Sequence, residues 1–237
     1  MPRTRITVGS ADSELRRLRI LLEEGVTQPT LLAWRYDQPT VVLGRSQRAT
    51  PELCERARLA GVDLLGRASG GGAVLVGPWM ASVTLLLPVT HAWARASLPV
   101  GYRMVGEACQ RALRPLRVET SLATRRQDLA PGGNLGWACF AEASHGELLV
   151  AGQRKLIGLC QLRRREAVVV SIGILLARPD WDLLVRAWLG RDEPALAQRL
   201  ETCTAGCDEF APGRGESAIE SLVAAFEAEL ESARLAA

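Results

Sequence analysis

The sequence contains a single lysine. It has 237 residues and 29 basic side chains, and all of these except Lys155 are arginine. A strongly GC-rich genome replaces lysine codons with arginine codons, so one survivor can stand anywhere on the surface. Alternatively, position 155 requires a compact ammonium on a flexible stem, for which the planar guanidinium fork is no substitute. Composition favours neither explanation.

Long apolar runs are also absent. No uninterrupted run approaches the roughly 18 apolar residues that a membrane span needs. The first 19 residues are charged and lack the apolar region of a secretory signal. We therefore expect a cytoplasmic protein without a membrane partner.

Histidines are few, and the cysteines show no metal-binding or disulfide pattern. Six cysteines are scattered along the chain, and the one close pair, Cys203 and Cys207, has no histidine nearby. This spacing suits neither a disulfide framework nor a zinc site, so no metal is expected. The formal net charge of +3 is too small and too dispersed to predict nucleic-acid binding. It suits a protein partner with an acidic face better.

The apolar pattern predicts one α/β domain over residues 1–237, with a mixed sheet flanked by helices. Residues 31–36 and 40–44 predict strands joined by a hairpin or tight connection, and 62–66 a short buried strand. Further strands are predicted at 79–88, at 167–176 and on both sides of a turn at 151–152. Helices are predicted at 10–25, 51–61, 97–114, 181–190, 194–201 and 217–235.

A glycine-rich loop, Arg67-Ala-Ser-Gly-Gly-Gly-Ala73, lies between two predicted strands. It is neither a P-loop nor a dinucleotide-binding loop, because it lacks GK[ST] and does not open a helix. Consecutive glycines allow close approach of a ligand, and their N–H groups can form an anion-binding nest. The alternative is a plain turn without a ligand. The flanking Arg67 and Ser69, with apolar strands on either side, favour a loop that faces a ligand.

Three segments follow one another along the chain: RYDQPTVVLGRSQ (35–47), GVDLLGRASGGGAVL (61–75) and GQRKLIGLCQLRRR (152–165). The strand-like AVVVSIGILL (167–176) comes directly after them. In this order they resemble the lipoate–protein ligase A and octanoyltransferase family. The match covers roughly residues 30 to 180, and three motifs in the right order are more specific than any one of them.

This resemblance implies a fold like that of class II synthetases and biotin–lipoate ligases, and transfer of an octanoyl or lipoyl group to a lysine of a lipoyl domain. It implies that Lys155 holds the activated carboxyl group. A positioned ammonium and loop N–H groups would stabilise the negative charge that develops on the acyl oxygen. The pocket residues it implies are Arg67, Ser69, Gly70, Gly71, Gly72 and Ala73 in the loop, with Gly158 and Gln161 on the same wall.

The family contains two chemistries. Ligases activate lipoate with ATP, whereas one branch of octanoyltransferases forms a thioester on a cysteine. The segment from Cys139 to Ser144, CFAEAS, resembles the cysteine segment of that branch. A cation near a cysteine favours the nucleophilic thiolate, so Cys139 is the candidate nucleophile. The alternative is a buried apolar cysteine beside Phe140.

The resemblance also implies the partners. The acceptors would be lipoyl-domain proteins, namely the E2 subunit of 2-oxoacid dehydrogenases and the glycine cleavage H protein. A transferase would take its acyl group from an octanoyl carrier protein, whereas a ligase would use ATP and lipoate. No tightly bound cofactor is expected in either case.

The sequence departs from the family pattern at three places. Val76-Gly77 replaces a His-Asp pair after the glycine loop, and the run 80–84 (MASVT) replaces an Asn-x-Asn-x-Ser run. Ser171 stands where a histidine is frequent. These departures leave open a paralogue that binds acyl groups without turnover and serves in regulation. The residues after 180 are expected to form helices, with no large accessory domain.

Overall fold

The strands form three sheets in the computed structural model, which describes residues 4–132 and 134–235. In chain order they are β1 (Ile6–Gly9), β2 (Thr30–Tyr36), β3 (Thr40–Leu43), β4 (Asp63–Gly66), β5 (Val74–Val76), β6 (Met80–Pro88), β7 (Ser121–Leu122), β8 (Gln127–Asp128), β9 (Glu142–Ala143), β10 (Leu148–Val150), β11 (Arg154–Arg163) and β12 (Ala167–Leu175). The largest sheet has the order β1-β2-β6-β12-β11-β10-β7, and the others are β4-β3-β5 and β8-β9.

Helices cover both faces of the largest sheet. They are α1 (Ala11–Glu24), α2 (Pro51–Leu59), α3 (Ala92–Arg95), α4 (Leu98–Leu113), α5 (Trp181–Leu189), α6 (Pro194–Cys203) and α7 (Gly215–Leu235). The start of α1 is fixed by Ser10, whose hydroxyl accepts a hydrogen bond from the Ser13 N–H. Thr50 caps α2 in the same way, and Pro51 occupies its first turn, where no N–H is needed.

The central strand β6 shows how the core divides into two layers. Side chains alternate between the faces of a strand, so Met80, Ser82 and Thr84 point to one side and Ala81 and Val83 to the other. The second side packs against α4 and α7 in the larger apolar core. The first side faces α1 and the three-stranded sheet, and it carries the candidate site. Because both faces are covered, β6 is buried along nearly its whole length.

The predicted fold class is confirmed: a mixed sheet is flanked by helices, and the antiparallel run β2-β6-β12-β11 carries one parallel edge strand, β1. One pair of local alternatives is resolved, and one local prediction is wrong. Strands β2 and β3 have the predicted tight connection but form no hairpin, because they belong to different sheets. Strand β4 is not buried, since it is the edge of the small sheet and Asp63 and Gly66 are exposed.

None of the helices in the described part of the chain combines the length and the apolar stretch needed to cross a membrane.

Candidate active site

The lone lysine is buried. The Lys155 side chain is 1% exposed, and its ammonium donates to three acceptors. These are Glu147 Oε2 at 2.7 Å, the Glu142 carbonyl at 2.8 Å and the Cys139 carbonyl at 3.0 Å. The ammonium also lies 5.0 Å from the centre of the Phe140 ring. An ammonium has three N–H donors, so all of them are used within the protein. This is the environment of a required lysine and not of a surface survivor.

Glu147 supplies the opposite charge. It precedes β10, is 2% exposed, and accepts three hydrogen bonds. Its Oε2 accepts from Lys155 and from the Ser144 N–H at 2.6 Å, and its Oε1 accepts from the Leu159 N–H at 2.8 Å. Burial alone lowers the pKa of Lys155, but the charges of Glu147 and Cys139 and the hydrogen bond that Lys155 donates to Glu147 together raise it above its ordinary value. Lys155 therefore stays charged despite its burial.

Cys139 begins a short 3-10 turn, Cys139–Ala141, whose backbone is held on both sides. The Cys139 N–H donates to the Ala73 carbonyl at 2.9 Å, and its own carbonyl accepts from Lys155. The preceding Trp137 carbonyl accepts from the Ala73 N–H at 2.7 Å and from the Gln47 side chain at 2.9 Å. These bonds fix the position of a half-buried thiol.

Arg67 organises the glycine loop from within. Its guanidinium donates to the carbonyls of Val42, Gly70 and Gly72 at 2.9, 3.0 and 2.7 Å. Two glycines are required for this conformation. Gly71 has φ +99°, which disfavours any side chain, and a Cβ on Gly72 would lie 2.5 Å from the Trp137 carbonyl oxygen. The loop can therefore pack directly against the Cys139 turn.

An apolar pocket of about 130 Å³ lies between α1, the glycine loop and the face of the large sheet. Cys139 and Phe140 line it, together with Arg67 and Ser69 of the loop. The apolar side chains that complete its wall include Leu15, Leu18, Leu32, Val42, Val74, Val76, Met80, Leu162 and Val169. Such a lining suits an aliphatic chain.

The pocket also contains polar groups that bond to one another. The Tyr36 hydroxyl donates to Glu14 Oε2 at 2.6 Å, and the Ser82 hydroxyl donates to Oε1 of the same carboxyl. Burial raises the pKa of Glu14, and the two hydroxyl groups oppose that shift. Ser69 Oγ lies 3.2 Å from Cys160 Sγ, and burial raises the pKa of the Cys160 thiol. The raised pKa leaves little nucleophilic thiolate at Cys160.

The structure brings most of the predicted site residues together. Arg67, Ser69, Gly158 and Cys139 line the pocket. Ala73 instead bonds through its backbone to Trp137 and Cys139. Gly71 and Gly72 lie next to the same turn, because an added Cβ would be 3.8 Å from Cys139 Sγ at Gly71 and 2.8 Å from the Cys139 nitrogen at Gly72. Gly70 is an exposed part of the loop, and its carbonyl accepts from Arg67. Lys155 lies behind the Cys139 turn and does not line the pocket, so its ammonium bonds to protein carbonyls.

The structure does not place Gln161 in the pocket. Residues 155 and 161 are an even number of positions apart, which in a regular strand would put both on one face. A bulge in β11 interrupts this alternation, because Leu149 pairs with Lys155 whereas Leu148 pairs with Ile157. Gln161 consequently lies on the opposite face, where its backbone is next to the hydroxyl of Tyr102 in α4.

Sequence reasoning missed Glu147 and the Glu14–Tyr36–Ser82 cluster. One signal was available for Glu147, which stands directly before the apolar run Leu148–Val150 and close to the only lysine. A buried lysine requires a buried counter-charge. No such signal marks Glu14, which lies on the helix α1 among charged neighbours. No cluster of three or more metal-binding side chains occurs in residues 4–132 and 134–235.

The fold and the site define a protein with an apolar pocket on the face of a mixed sheet, beside a fixed thiol and a buried ammonium. Over residues 15–198 the chain matches the family described as the lipoyl protein ligase A/B catalytic domain. The chain belongs to this family, as its motifs predicted.

Two curated relatives are similar over different lengths. An octanoyltransferase LipM of Moorella thermoacetica is 30% identical over 221 residues, which cover 87% of this chain and 77% of the relative. An octanoyltransferase LipM of Kyrpidia tusciae is 32% identical over 157 residues, which cover 64% of this chain and 56% of the relative. The chain thus matches little more than half the length of the Kyrpidia protein.

Solved structures share the fold at low sequence identity. The bipartite lipoate protein ligase of Thermoplasma acidophilum, studied with its E2 lipoyl domain, superposes with a TM-score of 0.73 at 18% identity, covering 96% of this chain and 82% of that one. A lipoate-protein ligase A bound with ATP gives 0.70 at 18% identity, covering 97% and 84%. These likenesses confirm the expected class of fold.

Proposed function

We propose that this protein transfers an octanoyl group to a lysine of lipoyl-domain proteins through a thioester on Cys139. The observation that carries the proposal is the position of Cys139, a half-buried thiol that lines an apolar pocket while its backbone is fixed by Ala73 and Lys155. A nucleophile next to a slot for an aliphatic chain is what acyl transfer requires.

In the first half-reaction the Cys139 thiolate attacks the carbonyl carbon of an octanoyl thioester on a carrier protein. A bond forms between Cys139 Sγ and that carbon, the bond to the carrier sulfur breaks, and the carrier thiol leaves with the proton that Cys139 gave up. Negative charge develops on the carbonyl oxygen. The Ala73 N–H is bonded to Trp137 and so cannot stabilise this charge. The glycine loop comes close to the thiol, since a Cβ on Gly71 would lie 3.8 Å from Cys139 Sγ, and we propose that a backbone N–H of this loop is the donor.

In the second half-reaction the neutral amine of the acceptor lysine attacks the thioester carbon. An amide bond forms, the bond from carbon to Cys139 Sγ breaks, and the proton lost by the amine restores the Cys139 thiol. Lys155 acts in both steps through its charge and through the Cys139 carbonyl, because each of its N–H donors already has a protein acceptor. The positive charge of Lys155 attracts the Cys139 thiolate and so keeps it near this position.

The relatives support this chemistry, since both proteins named above are octanoyltransferases. The acceptor proteins we propose are the E2 subunit of 2-oxoacid dehydrogenases and the glycine cleavage H protein. The Thermoplasma ligase is described with an E2 lipoyl domain, which supports the first of these. We further propose that residues 1–237 act as one catalytic domain, since the family match extends from within α1 into α6.

The second candidate is an ATP-dependent lipoate–protein ligase. It is favoured by the similarity of the fold to a lipoate-protein ligase A bound with ATP. In that case the pocket would hold a lipoyl chain, and Cys139 would have no covalent role.

Mass spectrometry of the acceptor separates the two candidates. A lipoyl domain is incubated with the protein and either octanoyl carrier protein or lipoate plus ATP. We expect octanoyl label in the first mixture and none in the second. Cys139→Ala should abolish this label, whereas Cys54→Ala, which changes an exposed cysteine outside the site, should leave it unchanged. Label from lipoate plus ATP alone would establish the ligase, and transfer by Cys139→Ala would rule out the thioester.

A further inference from the structure

Three N–H donors converge on the buried carboxylate of Glu147. They come from the lysine side chain of β11, from the backbone of Leu159 in the same strand, and from the backbone of Ser144 just after β9. A carboxylate can only accept hydrogen bonds, so it satisfies all three donors. A glutamine of the same shape would direct its own N–H₂ group at one or more of them. The site therefore requires a charged acceptor at position 147.

We propose that Glu147 is a positioning residue for the Cys139 nucleophile, which it holds in place by orienting the Lys155 ammonium; this inference rests on the proposed function. Glu147 reaches no reacting atom itself. It does not line the pocket, and its influence passes through Lys155 to the carbonyls of Cys139 and Glu142, which lie at the two ends of the Cys139 turn.

The same carboxylate also positions the wall of the pocket. Leu159 and Gly158 line the pocket, and Glu147 Oε1 bonds to the N–H of Leu159. A Cβ on Gly158 would lie 3.2 Å from Lys155 Cε and 3.6 Å from Glu147 Oε1. Glu147 thus joins the turn that bears the thiol to the strand that contacts the acyl chain. Because Glu147 contacts both, it sets the distance between the turn that bears the thiol and this strand.

The charge of the ammonium depends on Glu147. The titratable groups that act on Lys155 are Glu147, Cys139 of the 3-10 turn and Cys203 of α6. Burial is the largest influence on Lys155 and favours its neutral form. Without the carboxylate, the largest influence that opposes burial is lost, and the pKa of Lys155 would fall. An enzyme that needs the ammonium would then lose activity at a lower pH than the wild type.

The test compares Glu147→Gln with the matched variant Glu209→Gln. Glu209 pairs with Arg154, the residue next to Lys155, at 2.7 Å on a partly exposed surface. We measure kcat/KM for octanoyl transfer against pH, and the rate at which iodoacetamide alkylates Cys139 at pH 7, by mass spectrometry of the peptide. Alkylation needs no acyl donor, so it still decides the role of Glu147 if the wild type transfers no octanoyl group and the proposed function fails.

For Glu147→Gln we expect transfer to fall at least about tenfold, the alkaline limb of the pH profile to move to lower pH, and alkylation of Cys139 to slow. Glu209→Gln should match the wild type in all three. Wild-type alkylation and an unmoved alkaline limb in Glu147→Gln would overturn the proposal.

If Glu147→Gln does not fold, the double variant Lys155→Met/Glu147→Gln, which has no buried charge at this place, is compared with Lys155→Met. Because Glu147 acts through Lys155, both should alkylate at the same rate. A further loss in the double variant would show that Glu147 acts by another route and would refute the inference.

Discussion

Replacing Lys155 with methionine tests the buried ion pair through the stability of the fold. Methionine is apolar and of similar length, so it keeps most of the packing and removes the charge. The Glu147 carboxylate then remains buried without a counter-charge, and the carbonyls of Cys139 and Glu142 each lose a donor. Removal of one partner of a buried pair costs about 3–5 kcal/mol, a large part of a typical domain's stability.

The free energy of unfolding is measured by urea denaturation followed by tryptophan fluorescence. Lys155→Met should lower it by about 3–5 kcal/mol, as a change of midpoint at constant m. The double variant Lys155→Met/Glu147→Gln should recover about 2 kcal/mol of this loss, because neither residue is then charged. The control is Arg178→Met, which breaks a surface pair with Glu201 and should cost at most about 1 kcal/mol.

A loss below about 1 kcal/mol in Lys155→Met would refute the reasoning, because it would make this pair equivalent to a surface pair. The pH dependence supplies a second check. The pKa of Lys155 is raised in the folded state, so folding takes up protons at this group. Its stabilising contribution is complete below the ordinary value of 10.5 and disappears as the pH rises through the folded value. The difference between wild type and Lys155→Met should therefore shrink only in strongly alkaline solution.

Three further predictions concern other parts of the site. Lys155→Arg should impair octanoyl transfer nearly as much as Lys155→Ala, because the planar guanidinium does not fit among three acceptors arranged for an ammonium. The control Arg154→Lys should have almost no effect on transfer. Normal transfer by Lys155→Arg would mean that position 155 does not require a lysine. Gly72→Ala should destabilise the fold by about 1–3 kcal/mol in urea denaturation, because its Cβ would clash with the backbone of Trp137. The control Gly66→Ala has open space around its Cβ and should not destabilise the fold. Equal losses of stability in the two variants would contradict the clash at Gly72. The pKa of Glu14 is raised in the folded protein, so ionisation of Glu14 opposes folding. The stability of Glu14→Gln relative to the wild type should therefore increase from pH 4.5 to pH 8. A difference in stability that stays constant over this range would argue against an effect of burial on Glu14.

The order of the motifs was enough to predict the fold class and to bring Lys155, Cys139 and the glycine loop into one site. The physical reason is that buried strands and glycine loops have strong local signals: apolar runs, and backbone conformations that only glycine adopts readily. Gly72 illustrates this, since a Cβ at this position would lie 2.5 Å from the Trp137 carbonyl oxygen.

Contacts that depend on non-local geometry could not be predicted. The bulge in β11 arises from the pairing of β11 with β10, and no residue of β11 indicates it. The side of the sheet on which Gln161 lies could therefore not be predicted from the sequence. The direction of the Lys155 ammonium also depends on the pairing of β11 with β10, which brings Glu147 next to it. The buried position of Glu14 follows from the docking of α1 over Tyr36 and Ser82, although its helix reads as an exposed, charged segment.

The most direct test of the account is the covalent state of Cys139. The protein is mixed with octanoyl carrier protein in the absence of any acceptor, digested, and analysed by mass spectrometry. We predict that the peptide containing Cys139 carries one octanoyl group that hydroxylamine removes, and that adding a lipoyl domain discharges it to the acceptor lysine. An unmodified Cys139 peptide under conditions in which the acceptor becomes octanoylated would contradict the thioester mechanism.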